Sequence, residues 1–207
     1  MPKPGRHAEG TRTRGRILDA AADLIARQGY AATSIAQISQ KAGANPASIY
    51  WAYGSKEGLL AAVMERAAES FFQAIAPAEG ADFWPWLAGL STHFDERPEF
   101  LRLLLVLSLE RREGDPQVME AARRVRARAA DGLADAYARV LDIPDPFRRR
   151  GICDRLARFT LMLFDGAFVA SQIEPDTTDL ARAFETIALA VQATAEKLVA
   201  APAPEKA

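Results

Sequence analysis

The chain has very few of the residues from which catalytic and metal sites are built. Its 207 residues include one cysteine, Cys153, and only two histidines, His7 and His93. A single cysteine cannot form an internal disulfide and gives no metal-ligand spacing, so we predict a reducing, cytoplasmic environment and no metal site. The sequence also lacks a glycine-rich phosphate loop and a Ser-His-Asp arrangement, and it predicts no catalytic residue and no cofactor. These absences argue against an enzyme.

Long apolar runs and β-branched residues are scarce as well. No apolar segment of the signal-peptide type follows the N-terminal residues, and we expect charges to interrupt every later apolar stretch before it reaches membrane-spanning length. The chain is therefore predicted to have no membrane contact. Ala, Leu, Arg and Glu dominate, and 49% of the residues are hydrophobic and 26% charged. This balance favours an all-α globular protein.

Charge is distributed unevenly along the chain, although its net value is only -1. Residues 1–56 contain eight Lys or Arg and three acids, a net charge of +5, whereas the remaining residues contain 18 basic and 24 acidic groups, a net charge of -6. A basic end on an acidic body is typical of a module that binds a polyanion, because each neutralised phosphate releases counterions.

Hydrophobic periodicity and capping residues divide the chain into about nine helices, with nothing that predicts strands or repeats. A tail at 1–11, expected to be disordered, precedes a three-helix domain at 12–56. A connecting helix is predicted over 56–75. Residues 77–201 are predicted to form a C-terminal helical bundle, followed by a tail at 202–207.

The first domain is predicted to contain a helix-turn-helix. Its first helix covers 11–28, and its second begins at Thr33 or Ser34, either of which can cap it. A break at 41–44 precedes a short helix that opens with Asn45 and a proline, which suit the cap and the first helical position. In this arrangement the short helix lies in the major groove of DNA.

Three sequence stretches carry a family resemblance: TRGRILDAA at 13–21, QGYAATSI at 28–35 and IYWAYGSKEGLL at 49–60. In this order they resemble the N-terminal signature of the TetR family, with one departure at Ala52, where the family pattern usually has histidine. The resemblance implies a homodimer that binds a palindromic operator with two recognition helices about 34–36 Å apart. It also implies that a small-molecule effector in the C-terminal domain releases the DNA.

The predicted DNA-contacting residues lie at the helix starts and in the turn between the helices. Asn45 and Ser48 are expected to reach base edges, whereas Ala47 offers only a methyl group, which suits thymine. Tyr50 and Trp51 are adjacent and cannot both face the core, so we expect one of them, Tyr50, to reach the DNA backbone. The helix has no arginine, so direct guanine readout is expected to be poor. The full set is Thr33, Ser34, Lys41, Asn45, Ala47, Ser48, Tyr50, Trp51 and Lys56.

Several of these residues have a plain structural alternative. The short polar side chains at Thr33 and Ser34 serve equally well as helix caps. The lysine at position 56 stands beside a helix start, where it suits a phosphate, or it is an ordinary surface lysine. Lys41 is expected to supply part of the DNA affinity.

The C-terminal domain is predicted to hold an apolar pocket for an aromatic or lipid-like effector, with His93 as a polar handle. Each pocket residue is also a plausible core residue. The predicted lining is Trp84, Trp86, His93, Phe94, Leu103, Leu107, Phe159, Met162 and Phe168.

The helix predicted over 147–173 is apolar on more than one side. We therefore assign one side to its own core and the other to a second subunit, with a helix buried on both sides in a monomer as the alternative. The predicted dimer residues are Phe159, Gly166, Ala170, Phe184, Ile187 and Val191.

The sequence thus predicts a cytoplasmic, ligand-responsive, homodimeric repressor of the TetR type, with double-stranded operator DNA and a small-molecule effector as partners. The alternative is a helical interaction module whose basic end binds a protein or an anionic surface without sequence specificity. Activation in place of repression also stays open.

Overall fold

The computed structural model describes residues 5–96, 98–109 and 116–202, and within these ranges the chain is helical and has no strand. The predicted all-α fold is confirmed. The helices are α1 (Gly5–Ala32), α2 (Ile35–Ala42), α3 (Pro46–Tyr53), α4 (Lys56–Ala74), α5 (Phe83–Gly89), α6 (Ser91–Glu96), α7 (Pro98–Leu109), α8 (Pro116–Val140), α9 (Pro146–Ile173) and α10 (Leu180–Ala200). A turn at Leu90 separates α5 from α6.

The first helix differs from its prediction at both ends. It begins at Gly5, within the tail expected to be disordered, while residues 1–4 lie outside the described part of the chain. Gly29 was expected to end the helix in the left-handed conformation. Instead it has φ 81° and ψ 163°, a combination that essentially only glycine adopts, and a further turn follows to Ala32. The backbone therefore changes direction just before α2.

Packing divides the chain into two compact units, Met1–Ser70 with Glu99–Arg124 and Phe71–Pro98 with Val125–Ala207. α4 and α8 contribute residues to both units. This grouping by contacts does not follow the predicted domain boundary at residue 77. The division into a DNA-binding domain and a ligand-binding domain at that boundary remains a prediction.

The core of the first unit holds α1, α2 and α3 together through small and branched apolar side chains. Ile38 of α2 and Ile49 of α3 are almost completely buried, as is Ile17 of α1. Burying one such side chain stabilises a fold by about 1.5–3 kcal/mol. The cluster consists of Ile17, Ala20, Ala21, Ile35, Ile38, Ala42, Ile49, Leu59 and Val63. It fixes the position of α3, a helix of eight residues that is too short to be stable alone.

The core of the second unit is an aromatic cluster between helices. The rings of Phe164 in α9 and Phe184 in α10 stack with their centroids 4.2 Å apart, and Phe94 of α6 meets Phe184 edge-on at 4.8 Å. Phe168 contacts Phe94 in the same way at 6.0 Å. α10 packs against α9, α5 and α6. Cys153 is also buried, and burial raises the pKa of its thiol, which makes it a packing residue of low reactivity.

The helix α9 passes a length and composition test for a membrane span, with 28 residues and an 18-residue window of mean hydropathy 1.2. Arg158 and Asp165 lie within the apolar part of α9, so charges interrupt this helix before any uncharged stretch reaches membrane-spanning length, as expected. Core helices of soluble bundles pass the same test, but only 28% of this window is buried. One face of α9 packs in the core through Phe164 and Phe168, and much of the rest is exposed.

A buried hydrogen-bonded pair in the second unit gives a test of the packing. The hydroxyl of Tyr137 lies 2.7 Å from Oγ1 of Thr160, which itself donates to the carbonyl of Leu156 at 2.8 Å, so Tyr137 is the donor in the pair. Burial raises the pKa of Tyr137 to about 12. The folded state therefore favours the neutral phenol, and the stability that this contributes is present below pH 10 and lost as the pH rises towards 12.

We expect Tyr137→Phe to lower the free energy of unfolding by about 1 kcal/mol at pH 7, because Thr160 loses its donor. At pH 11 the difference in the free energy of unfolding between the variant and the wild type should be smaller. Only the wild type has the Tyr137 hydroxyl, and its ionisation in the unfolded state lowers the stability of the wild type at this pH. Denaturant titrations at the two pH values measure both effects. Tyr50→Phe, at an exposed tyrosine, is the control and should match the wild type throughout. An unchanged gap between pH 7 and pH 11 would contradict the assignment.

Candidate nucleic-acid interface

The helix α2 begins and ends with strong local signals. Ser34 caps it: its hydroxyl accepts from the backbone N–H of Gln37 at 3.2 Å, and the Gln37 side chain accepts from the N–H of Ser34 at 2.8 Å. This reciprocal capping box selects Ser34 over Thr33 as the cap. Gly43 ends the helix in the left-handed conformation, with φ 58° and ψ 41°. The turn between α2 and α3 is thus fixed by the sequence at both sides.

The helix α3 is held with one face inward. Asn45 caps it by accepting from the N–H of Ala47 at 2.9 Å, Pro46 occupies the first helical position, and Gly54 follows its last residue with φ 75°. Ile49 is its buried residue and has no exposed surface. The side chain of Ile49 therefore anchors α3, and the positions around it face outward.

The outward face of α3 is apolar at its centre. Consecutive residues in a helix are about 100° apart, so Ala47 and Trp51, two positions before and after Ile49, share the side opposite the core. Trp51 is 84% exposed and Tyr50 is 53% exposed, so neither aromatic faces the core. Ser48 is also exposed, beside Ala47.

Thr33 does not belong to this surface. It is only 1% exposed, and its hydroxyl donates to the carbonyl of Gly29 at 2.8 Å. A buried hydroxyl with this bond stabilises the backbone after Gly29 and cannot reach a ligand outside. We therefore correct the expectation for Thr33 and leave it out of the interface proposed below.

The lysine at the start of α4 is held in place by an aromatic residue. Nζ of Lys56 donates to the carbonyl of Tyr30 at 2.8 Å and lies 4.1 Å from the centre of the Tyr30 ring. The Tyr30 hydroxyl donates to Glu57 at 2.9 Å. A hydrogen bond from the Glu57 backbone N–H lowers the pKa of that carboxyl, and the Tyr30 hydroxyl lowers it further. Lys56 is thus preorganised, with donor capacity remaining on its ammonium group.

Lys41, at the end of α2, is paired with an acid. Its ammonium group and the guanidinium of Arg27 both contact the carboxylate of Asp23, Arg27 at 2.9 Å. The hydrogen bond from Lys41, followed by that from Arg27, lowers the pKa of Asp23. These exposed pairs contribute little to stability, and a phosphate can compete with the carboxylate for either cation.

Sequence reasoning did not single out three arginines of α1. Arg12, Arg14 and Arg16 are exposed on this helix. The only signal for them was the excess of basic residues in the first 56 positions. Their guanidinium groups are additional candidates for phosphate contact.

The residues predicted to line an effector pocket occupy different environments. Phe94 and Phe168 are buried core residues, and Trp84, Trp86, Leu103 and Phe159 are half-buried. Met162 is 61% exposed, which corrects its assignment to a pocket. The side chain of Leu107 lies outside the described residues.

Two of the half-buried members, Trp86 and His93, have polar groups whose surroundings differ. Nε1 of Trp86 donates to the carbonyl of Ile75 at 2.9 Å and is therefore already satisfied. Nδ1 of His93 is buried and has no hydrogen-bond partner among the described residues; the Glu96 carboxylate, at 3.9 Å, is too distant for one. An unpaired buried nitrogen costs free energy unless something binds it.

The predicted dimer residues divide into two groups. Phe184, Ile187 and Val191 of α10 are buried within the protomer, so they cannot form a contact surface, and this corrects their assignment. Gly166 is exposed, and Phe159 and Ala170 are half-buried. The predicted set did not include the exposed apolar side chains of α9 and α10, among them Met162, Val169 and Ile173 of α9 and Leu189 of α10.

The exposed apolar residues of α9 follow helical spacing. Positions 162, 166, 169 and 173 are separated by four, three and four residues, which places Met162, Gly166, Val169 and Ile173 on one side of the helix. This is the side that Phe164 and Phe168 do not occupy. The period was visible in the sequence, but exposure could be assigned only once the core was known.

Comparisons with known proteins agree with the first unit's geometry. Residues 17–63 match the family model described as bacterial regulatory proteins, tetR family. The HTH-type transcriptional repressor NicS of Pseudomonas putida is 32% identical over 136 residues, which cover 62% of this chain and 61% of that protein. The HTH-type transcriptional repressor SCO4008 of Streptomyces coelicolor is 35% identical over 98 residues, which cover 47% of this chain and 50% of that protein. The chain thus spans about half to three fifths of these relatives.

The fold of most of the chain is similar to that of a solved structure. The structure described as the SmeT–triclosan complex superimposes with a TM-score of 0.66, covering 93% of this chain and 99% of that one, at 22% sequence identity. At this identity the likeness shows the fold alone.

Proposed function

We propose that this chain is a ligand-responsive transcriptional repressor of the TetR type that binds a palindromic operator as a homodimer, because residues 17–63 match the TetR family model. One observation carries the proposal: α3 is anchored by the buried Ile49, and it presents Ala47, Ser48, Tyr50 and Trp51 to solvent beside a basic helix. A short exposed helix after a tight turn suits the major groove. The repressor names of NicS and SCO4008 support repression as the outcome.

The proposed DNA contacts are of two kinds: contacts that position the protein on the DNA backbone and contacts that recognise the base sequence. Lys56, Lys41 and the exposed arginines of α1 neutralise phosphates, and Tyr50 donates to the DNA backbone. Ser34, Asn45, Ala47, Ser48 and Trp51 lie at the two helix starts and on the outward face of α3, where they approach the bases or the adjacent phosphates. The protein is proposed to act in the cytoplasm, where its DNA partner is located.

We expect Tyr50→Ala and Lys56→Ala to weaken binding to all DNA sequences, and Lys56→Ala to reduce the slope of log affinity against log salt by about one. Ser48→Ala should instead change the preference among sequences. Gel shifts with duplexes selected from the source genome, repeated at several salt concentrations, measure all three. Lys197→Ala, at an exposed lysine of α10, is the control and should leave binding unchanged.

Two outcomes would count against a repressor. Unchanged binding in all three variants would refute the assigned interface. Weak binding that ignores sequence would support the alternative of a helical module for anionic surfaces.

The homodimer is proposed to form through α9 and α10. Met162 and Ile173 of α9 and Leu189 of α10 are large apolar side chains that one protomer leaves in water. Exposed apolar side chains on two helices that pack together are typical of a subunit interface. Arg126 and Asp165 form a bidentate ion pair, with both contacts at 2.8 Å, so α9 carries a charge that suits a protein neighbour better than lipid.

The effector is proposed to be a small, largely apolar aromatic molecule bound in the second unit, with a polar group that pairs with Nδ1 of His93. The unpartnered nitrogen supports this, as does the bound compound in the similar structure described as the SmeT–triclosan complex. Release of a bound operator duplex by such compounds, and its loss in His93→Phe, is the corresponding measurement.

A further inference from the structure

We infer that α3 reads its half-site chiefly through the C5-methyl groups of thymine, with Trp51 and Ala47 as the residues that set this preference. The inference rests on the proposed function and deepens it, because it names the class of base that the same helix recognises. It follows from the chemistry of the side chains that α3 presents and from the partners that neighbouring polar groups already have.

The centre of the recognition surface has no group suited to guanine. Guanine is distinguished in the major groove by two acceptors, which a long cation binds in a bidentate manner. The helix Pro46–Tyr53 contains neither arginine nor lysine. Trp51 has a single donor, its indole N–H, and Ala47 has none, so the side opposite Ile49 cannot form that pair.

Polar groups close to the helix are held by bonds within the protein. The side-chain oxygen of Asn45 accepts from Ala47, and the oxygen of Gln37 accepts from Ser34. Lys41 is paired with Asp23. These bonds occupy the amide oxygens and orient Lys41, so the amide N–H groups of Asn45 and Gln37 are the donors left for base edges, whereas the apolar surface of Trp51 is fully available to DNA.

The exposed side chain of Trp51 provides a large surface that suits an apolar ligand. An indole that is 84% exposed leaves a large apolar area in water, and burial of that area drives association. In the major groove the apolar group on the base edges is the thymine methyl. Ala47 lies one turn from Trp51 on the same face and adds a second methyl-sized contact, so the two residues span adjacent base pairs.

The experiment isolates the methyl group. The full-length protein selects duplexes from a random library, and each thymine of the selected half-site is then replaced singly by deoxyuridine, which removes only the C5 methyl. We expect thymines in the region under α3, and a loss of affinity of about fourfold at one or more of them, equivalent to one buried CH2 group. In Trp51→Ala the same replacement should have no effect at the position that Trp51 contacts.

A matched variant controls for the loss of an exposed aromatic ring. Phe147→Ala removes a phenylalanine that is 90% exposed in the first turn of α9, and it should retain full sensitivity to deoxyuridine. Thermal melting of both variants should match the wild type, because neither ring is part of a core.

Two results overturn the inference in different ways. Specific selection of a half-site whose affinity is unchanged by deoxyuridine at every thymine refutes methyl reading and leaves the repressor proposal intact. Failure to select any sequence over random DNA refutes the proposed function and the inference with it.

Discussion

Replacing Gly58 with alanine is expected to lower the melting temperature by about 4–8 °C, the shift for a loss of about 2 kcal/mol in a chain of this size. Gly58 is the third residue of α4, and a Cβ at this position would overlap the carbonyl oxygen of Tyr53 and lie 3.2 Å from its carbon. The obstacle is backbone, which cannot rotate away as a side chain does. The last turn of α3 or the start of α4 must therefore shift.

The same substitution is expected to weaken operator binding at least tenfold at a temperature where the protein is folded. Tyr53 is the last residue of α3, so a displaced carbonyl changes the direction in which the recognition helix leaves the core. Small misplacements of base-reading side chains are costly because hydrogen bonds and apolar contacts in the groove depend on distance. Calorimetry and a gel shift on one preparation measure both effects.

Gly15→Ala is the matched control, in the interior of α1 and in the same unit. An added Cβ there meets nothing within 4 Å, so alanine should raise stability by about 0.5–1 kcal/mol through its better helix propensity. If both variants proved neutral or stabilising, the close approach of α4 to the end of α3 would be refuted.

The sequence predicted the first unit well because its signals are local. Ser34 with Gln37 makes a capping box, and Asn45 with Pro46 starts α3; both depend on residues within four positions of one another. Such local signals do not depend on how the helices pack in the tertiary structure. The exceptions were the two ends of α1 and Thr33, whose burial depends on the unusual backbone at Gly29 and could not be read from spacing.

The second unit was harder to predict because the spacing of apolar residues along a helix does not identify the helix or subunit that they contact. The spacing of Phe184, Ile187 and Val191 correctly indicated one buried side of α10, but that side packs within the protomer. Met162 looked like a pocket residue by composition, and only the packing of Phe164 and Phe168 places it on the opposite side of α9. Periodicity identifies the apolar face of a helix, whereas the element that packs against this face depends on the whole fold.

Replacing Leu189 with glutamate is expected to convert the proposed dimer into monomers and to weaken binding to a palindromic operator by about a hundredfold or more, because two linked half-site contacts become independent. Leu189 is 69% exposed on α10, so the protomer should fold normally. In a two-fold interface each substitution occurs twice, and both carboxylates would be buried without partners. Light scattering during gel filtration measures the mass of the protein and so its oligomeric state. Gel shifts with whole and half operators show whether the variant has lost the connection between its two DNA-binding domains or the contacts of each domain with its half-site.

Phe147→Glu provides the matched control, since it places the same charge at an exposed apolar position in the first turn of α9. The Phe147→Glu variant should remain dimeric and bind the whole operator as the wild type does. The Leu189→Glu variant should bind a half operator with the affinity of a single wild-type DNA-binding domain. A dimer that survives Leu189→Glu and also Met162→Glu would show that the subunits meet elsewhere. A wild type that is monomeric and associates with lipid vesicles would instead assign the exposed side of α9 to a membrane, since the helix has the length and composition of a membrane span.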